Sequence, residues 1–218
     1  MRPNIAILAA CGAIALTACG SKTDANEKNF SAALTQYFDK KGDLCLSLGE
    51  KWPIDLTETD FSSKSSYGQA NQMAVLEAAG LVKSEDAERD IVDMFTDKPT
   101  GSKIKLKRYT LTDAAKPFVQ ERKISYVRDE KQPDLCWGKK VLDKVVKWEG
   151  PFKLGDYQEV GVTYTYKITD MADWAKKPEI QAAFPYTLKR DLDGVGKQSQ
   201  HAVKLTSEGW EALGLDTD

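Results

Sequence analysis

The sequence is short of the residue types that most catalytic and metal sites require. It contains a single histidine, His201, among 218 residues. One histidine excludes a metal site built from several histidines and a histidine-based catalytic relay with a spare ligand. Neither a G-x-S-x-G nucleophile elbow nor a dinucleotide or P-loop glycine pattern occurs. We therefore expect a protein that is not an enzyme and that holds neither a cofactor nor a metal.

The chain also lacks an excess of positive charge. Lysine and arginine number 31 against 33 aspartate and glutamate, which gives a formal net charge of -2. A protein whose general partner is a polyanion usually has a basic excess, so we expect no nucleic-acid partner. The remaining composition, 41% hydrophobic and 29% charged, is typical of a folded globular chain rather than a disordered one.

Long apolar runs are missing too, apart from one near the start. The residues from Ile5 to Leu16 are apolar or small and follow a single positive charge, Arg2. This run is too short to span a bilayer, but it suits the apolar part of a secretory signal peptide. It leads directly into the tetrapeptide Leu16-Thr17-Ala18-Cys19. The pattern therefore predicts export of the chain from the cytoplasm.

This tetrapeptide at the end of an apolar leader resembles the lipobox of bacterial lipoproteins. The resemblance implies cleavage before Cys19, a diacylglycerol on its sulfur and an acyl chain on its new amino group, which together make membrane anchoring stable. Residues 1–18 would then be a signal peptide and residues 19–29 a lipidated tether. Gly20 stands where related lipoproteins of the inner membrane typically have Asp, which favours the outer membrane, with the protein facing the periplasm. The alternative is an ordinary secretory peptide with a chance cysteine near its cleavage site.

The four cysteines sharpen this interpretation. If Cys11 leaves with the leader and Cys19 is acylated, Cys45 and Cys136 remain in an oxidising compartment, where they are expected to form a disulfide. In the chain-entropy model a bridge that closes so long a loop stabilises the fold by about 4 to 5 kcal/mol. The alternative is two separate buried thiols.

The first half of the chain gives the clearest helix signals. Apolar periodicity predicts a helix from Phe30 to Lys41, with Asp24 and Glu27 as a capping-box-like pair and Gly42 as its stop. The other predicted elements are a short strand over 43–48 that carries Cys45, a loop over 60–66, a helix over 67–79 ended by Gly80, an acidic solvated segment over 84–93, a turn over 97–101, a strand over 104–109 and a helix over 113–120.

The order of helix, AGLV, hairpin strand, YTLT and a further helix resembles a winged-helix domain. We take this as a likeness of fold only. The helix over 67–79, which would be the recognition helix, contains no Lys or Arg and includes Glu77. It therefore has nothing with which to hold phosphates.

The second half, 127–218, echoes parts of the first half, 30–126. Asp134-Leu135-Cys136 repeats Asp43-Leu44-Cys45, and Leu205-Thr206 repeats Leu111-Thr112. We therefore predict an α+β fold of two small winged-helix-like or related halves, with a pseudo-duplication as one explanation and coincidence as the other. The clearest predicted strand of the chain covers 160–169, a helix covers 178–183, and a final strand over 202–205 is followed by a last helix from Thr206.

Two kinds of residue are candidates for a partner surface. Lys103, Lys105 and Lys107 alternate on the predicted strand. One interpretation is that they contact anionic headgroups or cell-wall polymer; the other, which we favour, is that they protect an exposed strand edge from pairing with other chains. Trp137 and Trp174, together with Tyr186, are aromatics that would populate an apolar patch, although the sequence does not separate them from core residues. The acidic residues between Glu85 and Asp93 lack the register of a calcium loop.

Two classes of function fit these observations. The first is a non-catalytic, membrane-anchored lipoprotein of the cell envelope that binds a protein or assists assembly. In size and layout it resembles the accessory lipoproteins encoded with trimeric autotransporter adhesins, but that likeness implies no functional residue. The second is an envelope hydrolase or an enzyme inhibitor that uses carboxylates. An exposed apolar patch would favour the first class, and a pocket with two converging acids and a raised pKa would favour the second.

Overall fold

A computed structural model describes residues 21–48, 51–62, 65–123 and 131–216. The leader, Cys19 and the predicted boundary between residues 126 and 127 lie outside these ranges. The helices and strands are α1 (Glu27–Lys41), β1 (Asp43–Cys45), β2 (Ile54–Thr57), α2 (Glu58–Ser62), α3 (Gln69–Ala78), β3 (Val82–Val92), β4 (Pro99–Leu111), β5 (Val119–Lys123), β6 (Lys131–Leu154), β7 (Tyr157–Thr169), α4 (Pro178–Ala183), α5 (Arg190–Asp193), β8 (Ser199–Thr206) and β9 (Gly209–Ala212).

The fold is mixed α and β, with two antiparallel sheets. The larger sheet is curled and has the strand order β1-β6-β7-β8-β9, with β5 also paired to β6. The smaller sheet has the order β2-β4-β3. The long strand β6 pairs with β5 and β1 near its start and with β7 along the rest of its length. Three register irregularities interrupt its pairing with β7, and irregularities of this kind let a strand bend.

Helix α1 forms where its apolar periodicity predicted it. Phe30, Leu34 and Phe38 lie on its buried face and pack against the larger sheet. The predicted cap is wrong, because the side chain of Asn26, not of Asp24, accepts the N–H of Asn29 at 2.9 Å. The helix ends at Gly42 as predicted, and the carbonyl of Lys140 lies too close to Gly42 to leave space for a Cβ atom.

Part of the segment predicted as a tether over residues 19–29 lies against the body of the fold. From Ser21 onward the chain lies against the body: the indole N–H of Trp210 donates to the carbonyl oxygens of Thr23 and Asp24 at 3.1 and 3.0 Å. The side-chain amide of Asn29 donates to the carbonyl oxygens of Ser21 and Asp24, both at 2.8 Å. Residues 21–29 therefore hold a fixed position at one end of the larger sheet.

Several sequence expectations about the smaller sheet are corrected. The acidic segment over 84–93 is not a loop, because its residues up to Val92 belong to β3 and four of its five acids lie opposite a base of β4. The region predicted as a loop over 60–66 begins with the short helix α2. Helix α3 and its end near Gly80 are confirmed. The facing charged pairs are Glu85–Arg108, Asp86–Lys107, Glu88–Lys105 and Asp90–Lys103.

The final helix predicted from Thr206 is wrong. Strand β8 turns at Ser207-Glu208 and returns as β9, with Leu205 opposite Trp210. Gly209 has φ +119°, a backbone conformation that other residues rarely adopt, so it ends the turn and reverses the chain. The echoed pair Leu205-Thr206 thus leads into a strand, whereas Leu111-Thr112 leads into a turn of 3-10 helix over Asp113–Phe118.

Two hydrophobic cores share strand β6 and mix residues from both predicted halves. One core joins α3, α4 and the smaller sheet to Leu135 and Trp137 of β6. The other joins α1 to β6, β7, β8 and β9 through residues that include Val145 and Val162. Strand β1 of the first half pairs directly with β6 of the second. The described residues therefore do not separate into an N-terminal and a C-terminal body.

Candidate protein-binding surface

The predicted pairing of Cys45 and Cys136 is confirmed. The two cysteines lie opposite each other in β1 and β6 and form a disulfide across 91 positions of sequence. Beside the disulfide, the buried carboxylate of Asp134 accepts the N–H of Ser47 at 3.1 Å and the N–H of Leu135 at 2.9 Å. Burial raises the pKa of Asp134, and the backbone donors oppose that rise. The whole arrangement fixes the chain after β1 to the base of β6.

Trp137 and Trp174 do not belong to a partner surface. Their exposed fractions are 1% and 6%, and both pack in the core that contains α3 and α4. The ring of Trp174 meets Phe118 edge-on at a centroid distance of 5.9 Å. The third candidate aromatic, Tyr186, is exposed and lies edge-on against Tyr67 on the surface. The size and aromatic character of these three residues therefore did not separate the two buried ones from the exposed one.

The single histidine has a structural setting. Its ring Nε2 lies 2.9 Å from the carbonyl oxygen of Leu213, and its imidazole packs against the ring of Tyr37 at a centroid distance of 4.4 Å. His201 therefore joins β8 to the end of the chain and to α1. Among the residues that the structure describes, no three His, Cys, Asp or Glu side chains form a group able to hold a metal ion.

The lysine stripe is matched by acids rather than standing alone. Lys103, Lys105 and Lys107 lie opposite Asp90, Glu88 and Asp86 across the β3–β4 hairpin. The Nζ atom of Lys103 also comes within 3.7 Å of a carboxylate oxygen of Glu88. Exposed pairs of this kind contribute at most about 1 kcal/mol each. The stripe is therefore a mixed-charge face, which does not suit a large polyanion.

A partly buried ion pair fixes the base of this hairpin. Arg108 donates from Nε and Nη2 to the two carboxylate oxygens of Asp55 at 2.7 and 2.8 Å. The guanidinium of Arg89 lies 3.6 Å from the same carboxylate. The hydrogen bonds from Arg108 lower the pKa of Asp55, and the positive charges of Arg108 and Arg89 add to this effect. The pair therefore ties β2, β3 and β4 together.

Beyond this base, no strand of the described residues lies beside one edge of β4. Strand β2 pairs with β4 only from Leu106 to Tyr109, and the chain then leaves into α2. Among the described ranges, the segment of β4 from Pro99 to Lys105 pairs with β3 alone. An open edge presents backbone N–H and C=O groups to which another chain can add a strand. Lys103 and Lys105 lie on this open edge.

A groove of about 930 Å³ lies where β2 stops, next to the open edge. Its apolar lining includes the buried Leu56 and Leu106 and the half-exposed ring of Phe61 from α2. Lys105 and Lys107, two of the three predicted lysines, also line it. Sequence reasoning missed Phe61 because it assigned residues 60–66 to a loop. The remaining lining residues are Glu58, Asp86, Ala87 and Glu88.

The tip of the same hairpin is apolar and exposed. Met94 and Phe95 are 87% and 94% exposed, and the neighbouring Ile91 and Val92 are partly exposed. Hydrogen bonds within the turn support the tip: the carboxylate of Asp93 accepts the backbone N–H groups of Phe95 and Thr96 and the hydroxyl of Thr96. These hydrogen bonds lower the pKa of Asp93. We call this feature, residues 91–96, the β3–β4 tip.

The hairpin of β6 and β7 ends in a second apolar tip. Phe152 and Leu154 are 64% and 81% exposed, and Tyr157 is also exposed. We call residues 152–157 the β6–β7 tip. Within the described ranges, no helix combines the length and the apolar character needed to cross a membrane.

Comparison of the chain with protein-family models, with curated proteins and with solved structures found no match. The roles of the groove and of the two tips therefore have to be inferred from their geometry.

Proposed function

We propose that this protein is a lipid-anchored, non-catalytic component of the bacterial cell envelope that binds another protein. The proposed anchor is Cys19, because the sequence Leu16-Thr17-Ala18-Cys19 ends an apolar leader, as in lipoproteins. Gly20 favours attachment to the outer membrane, with the folded part in the periplasm. We expect Cys19→Ala to leave the protein soluble or unprocessed on fractionation. Stable membrane association of a cleaved, unacylated variant would contradict this anchor.

The open edge of β4 beside an apolar groove is the observation that supports a protein partner. An extended segment of a partner could add to β4 from Pro99 to Lys105, in the line that β2 leaves empty. Backbone hydrogen bonds would supply affinity along this edge. A partner side chain in the groove would contact Phe61 and Leu106 and supply specificity.

The charges of the edge suggest which segment would fit. In an added strand, residues directly opposite Lys103 and Lys105 would lie on the same face as these lysines, and each opposite charge there is worth about 0.2 to 1 kcal/mol. Lysines on an edge also discourage pairing with unselected chains. We therefore propose an extended segment with acidic residues at alternate positions and an apolar residue that reaches the groove.

Photo-crosslinking in cells tests this site. Benzoylphenylalanine at Phe61 should capture one defined envelope protein, whereas the same group at the exposed Tyr186, outside the groove lining, should not. The captured segment, made as a peptide, should then bind the purified protein. Reversing the charge with Lys103→Glu and Lys105→Glu should weaken that binding, and Lys103→Arg with Lys105→Arg should preserve it. Equal capture at both positions would contradict the site.

We also propose a finer assignment of the fold for the first half of the chain. The elements β2, α2, α3, β3 and β4 follow one another as in a winged-helix domain, and the strand order β2-β4-β3 supports that likeness. The buried residues Met73 and Leu76 occupy one face of α3, in the position of a recognition helix that lacks Lys and Arg. The proposed pseudo-duplication has weaker support, because Leu205-Thr206 leads into β9.

A further inference from the structure

We propose that the β6–β7 tip inserts its apolar side chains into the interfacial layer of a phospholipid bilayer, beside the acylated Cys19. This inference rests on the proposed anchor and adds a second contact with the same membrane. It would also fix the orientation of the protein on the membrane surface. Three observations support it: where the described chain begins, which end of the sheet the tip occupies, and what the tip exposes.

The described chain begins close to the proposed anchor. Ser21 is two residues after Cys19, and two peptide units span at most about 7 Å. The segment that follows Ser21 is fixed rather than loose, because Trp210 of β9 donates a hydrogen bond to the carbonyl of Thr23. The carbonyl oxygen of Lys22 also lies against Gly209, at the start of β9. An acyl chain on Cys19 would therefore hold this end of the larger sheet near the bilayer.

The β6–β7 tip lies at the same end of that sheet. Across the strands, Phe152 is opposite Glu159, Glu159 is opposite Lys204, and Lys204 is opposite Glu211. From this row, two further residues lead to Leu154 along β6, and two lead in the same direction to Gly209 along β9. Both positions are thus about 7 Å beyond the row and about 14 Å apart laterally, by ordinary strand spacings.

The exposed groups of the tip suit a membrane interface. Phe152 and Leu154 offer large apolar surfaces, and the ring of Tyr157 is exposed with its hydroxyl donating to the carboxylate of Glu159. Aromatic residues with a polar end are enriched where membrane meets water. Lys153 and Asp156 give the tip no net charge, so the contact with lipid that we infer depends on its apolar side chains. The occupant we infer is therefore a lipid surface rather than a protein groove.

The β3–β4 tip provides an internal contrast, because it is equally apolar but differently placed. The base of that hairpin packs in the core around Trp137, whereas the β6–β7 tip begins fifteen positions further along β6, at Phe152. In the described part of the chain, the base of the β3–β4 hairpin packs in one hydrophobic core, whereas α1, which follows the segment that begins at Ser21, packs in the other. If any apolar tip inserted into lipid, both tips would insert. In the orientation that we propose, only the β6–β7 tip inserts.

Bromine quenching of tryptophan tests the insertion. The mature, acylated protein with Leu154→Trp and the matched protein with Phe95→Trp would be reconstituted into vesicles of phosphatidylethanolamine and phosphatidylglycerol, with and without bromine on the acyl chains. The native tryptophans give the same background in both proteins. We expect the quenching added by Leu154→Trp to exceed that added by Phe95→Trp by about twofold or more. Equal added quenching, or none, would overturn the inference.

Two further readings keep the outcome clear. Flotation of the wild-type protein with the vesicles reports the anchor: a protein that does not float overturns both the proposed function and this inference, whereas a floating protein with an unquenched tip overturns the inference alone. Circular dichroism reports folding of each variant. Phe152→Trp serves as a second probe of the tip, and an unquenched signal there as well would also contradict insertion.

Discussion

The β3–β4 and β6–β7 hairpins both end in exposed apolar tips, but they are stabilised in different ways. Strands β3 and β4 are held by facing acids and bases, with the partly buried pair of Asp55 and Arg108 at their base. Strands β6 and β7 are backed by α1, and residues such as Val162 and Tyr164 of β7 are buried beneath it. A charged ladder thus suffices for a hairpin that projects from a core, whereas a sheet that forms a core requires an apolar face.

The difference also separates two proposed roles. The β3–β4 hairpin leaves one edge of β4 open beside a groove, which suits a protein partner. The β6–β7 tip lies at the same end of the larger sheet as the segment that begins at Ser21, which suits contact with lipid. The β6–β7 hairpin would face the membrane, and the β3–β4 hairpin would remain accessible to a protein partner.

Removing the disulfide should have the largest effect, because it joins β1 to the base of the β6–β7 hairpin. We expect Cys45→Ala with Cys136→Ala to lower the free energy of unfolding by about 4 to 5 kcal/mol in the chain-entropy model. Urea unfolding with and without a reductant measures this change, and reductant should affect the wild type only. A loss below about 1 kcal/mol would show that packing alone fixes this base.

Truncating the core beneath β6 and β7 should have the next largest effect. Phe30 is fully buried and meets the rings of Trp148 and Trp210 edge-on at 5.3 and 5.2 Å. Phe30→Ala should cost about 3 to 5 kcal/mol of unfolding free energy. Phe95→Ala, at the exposed β3–β4 tip, should change it by less than about 0.5 kcal/mol. Similar losses from the two variants in chemical denaturation would contradict the contrast between a packed and a projecting hairpin.

Breaking the ion pair at the base of β3–β4 should have a smaller effect that depends on pH. Hydrogen bonds from Arg108 lower the pKa of Asp55 in the folded protein, so its stabilisation is present above its unfolded pKa of about 3.9 and is lost as the pH falls through the folded value. Asp55→Asn should therefore cost about 1.5 to 3 kcal/mol at neutral pH. Thermal unfolding should show the variant losing less stability than the wild type on acidification below about pH 4. A constant difference across this range would contradict the assignment.

The buried carboxylate at the base of β6 should behave in the opposite sense. Burial raises the pKa of Asp134, so its contribution to stability is greatest below its unfolded pKa of about 3.9 and falls as the pH rises through the folded value. Asp134→Asn keeps an acceptor for the N–H of Ser47 and removes this dependence. In unfolding measurements, the free energy of unfolding of this variant should therefore fall less than that of the wild type between about pH 4 and neutrality. A steeper loss would show that Asp134 is stabilised as the charged form.

The elements that could be predicted are those whose signals are local. Helix α1 has an apolar stripe and a terminal glycine, and β7 alternates apolar and polar residues over its buried length. The partnership of Cys45 and Cys136 followed from counting cysteines in a chain that we predict to be exported. These signals need no knowledge of what lies opposite in the fold.

What could not be predicted depends on partners that are distant in sequence. Acidic residues have a low propensity for strands, so the sequence of β3 alone argues against a strand. The bases of β4 that lie opposite these acids make the pairing favourable. Trp210 lies in a segment that suggested a helix, but the backbone of Gly209 turns it into β9. The candidate groove was half anticipated through Lys105 and Lys107, whereas Phe61 became part of it only through the turn of α2 at the end of β2.

Metabolic labelling with a fatty acid tests most directly whether lipid anchors this chain, on which the proposed orientation of its two hairpins depends. We expect the wild-type protein to incorporate the label and to fractionate with the envelope membranes. Cys19→Ala should incorporate none. An unlabelled, full-length wild-type protein found in the cytosol would contradict both the anchor and the orientation that follows from it.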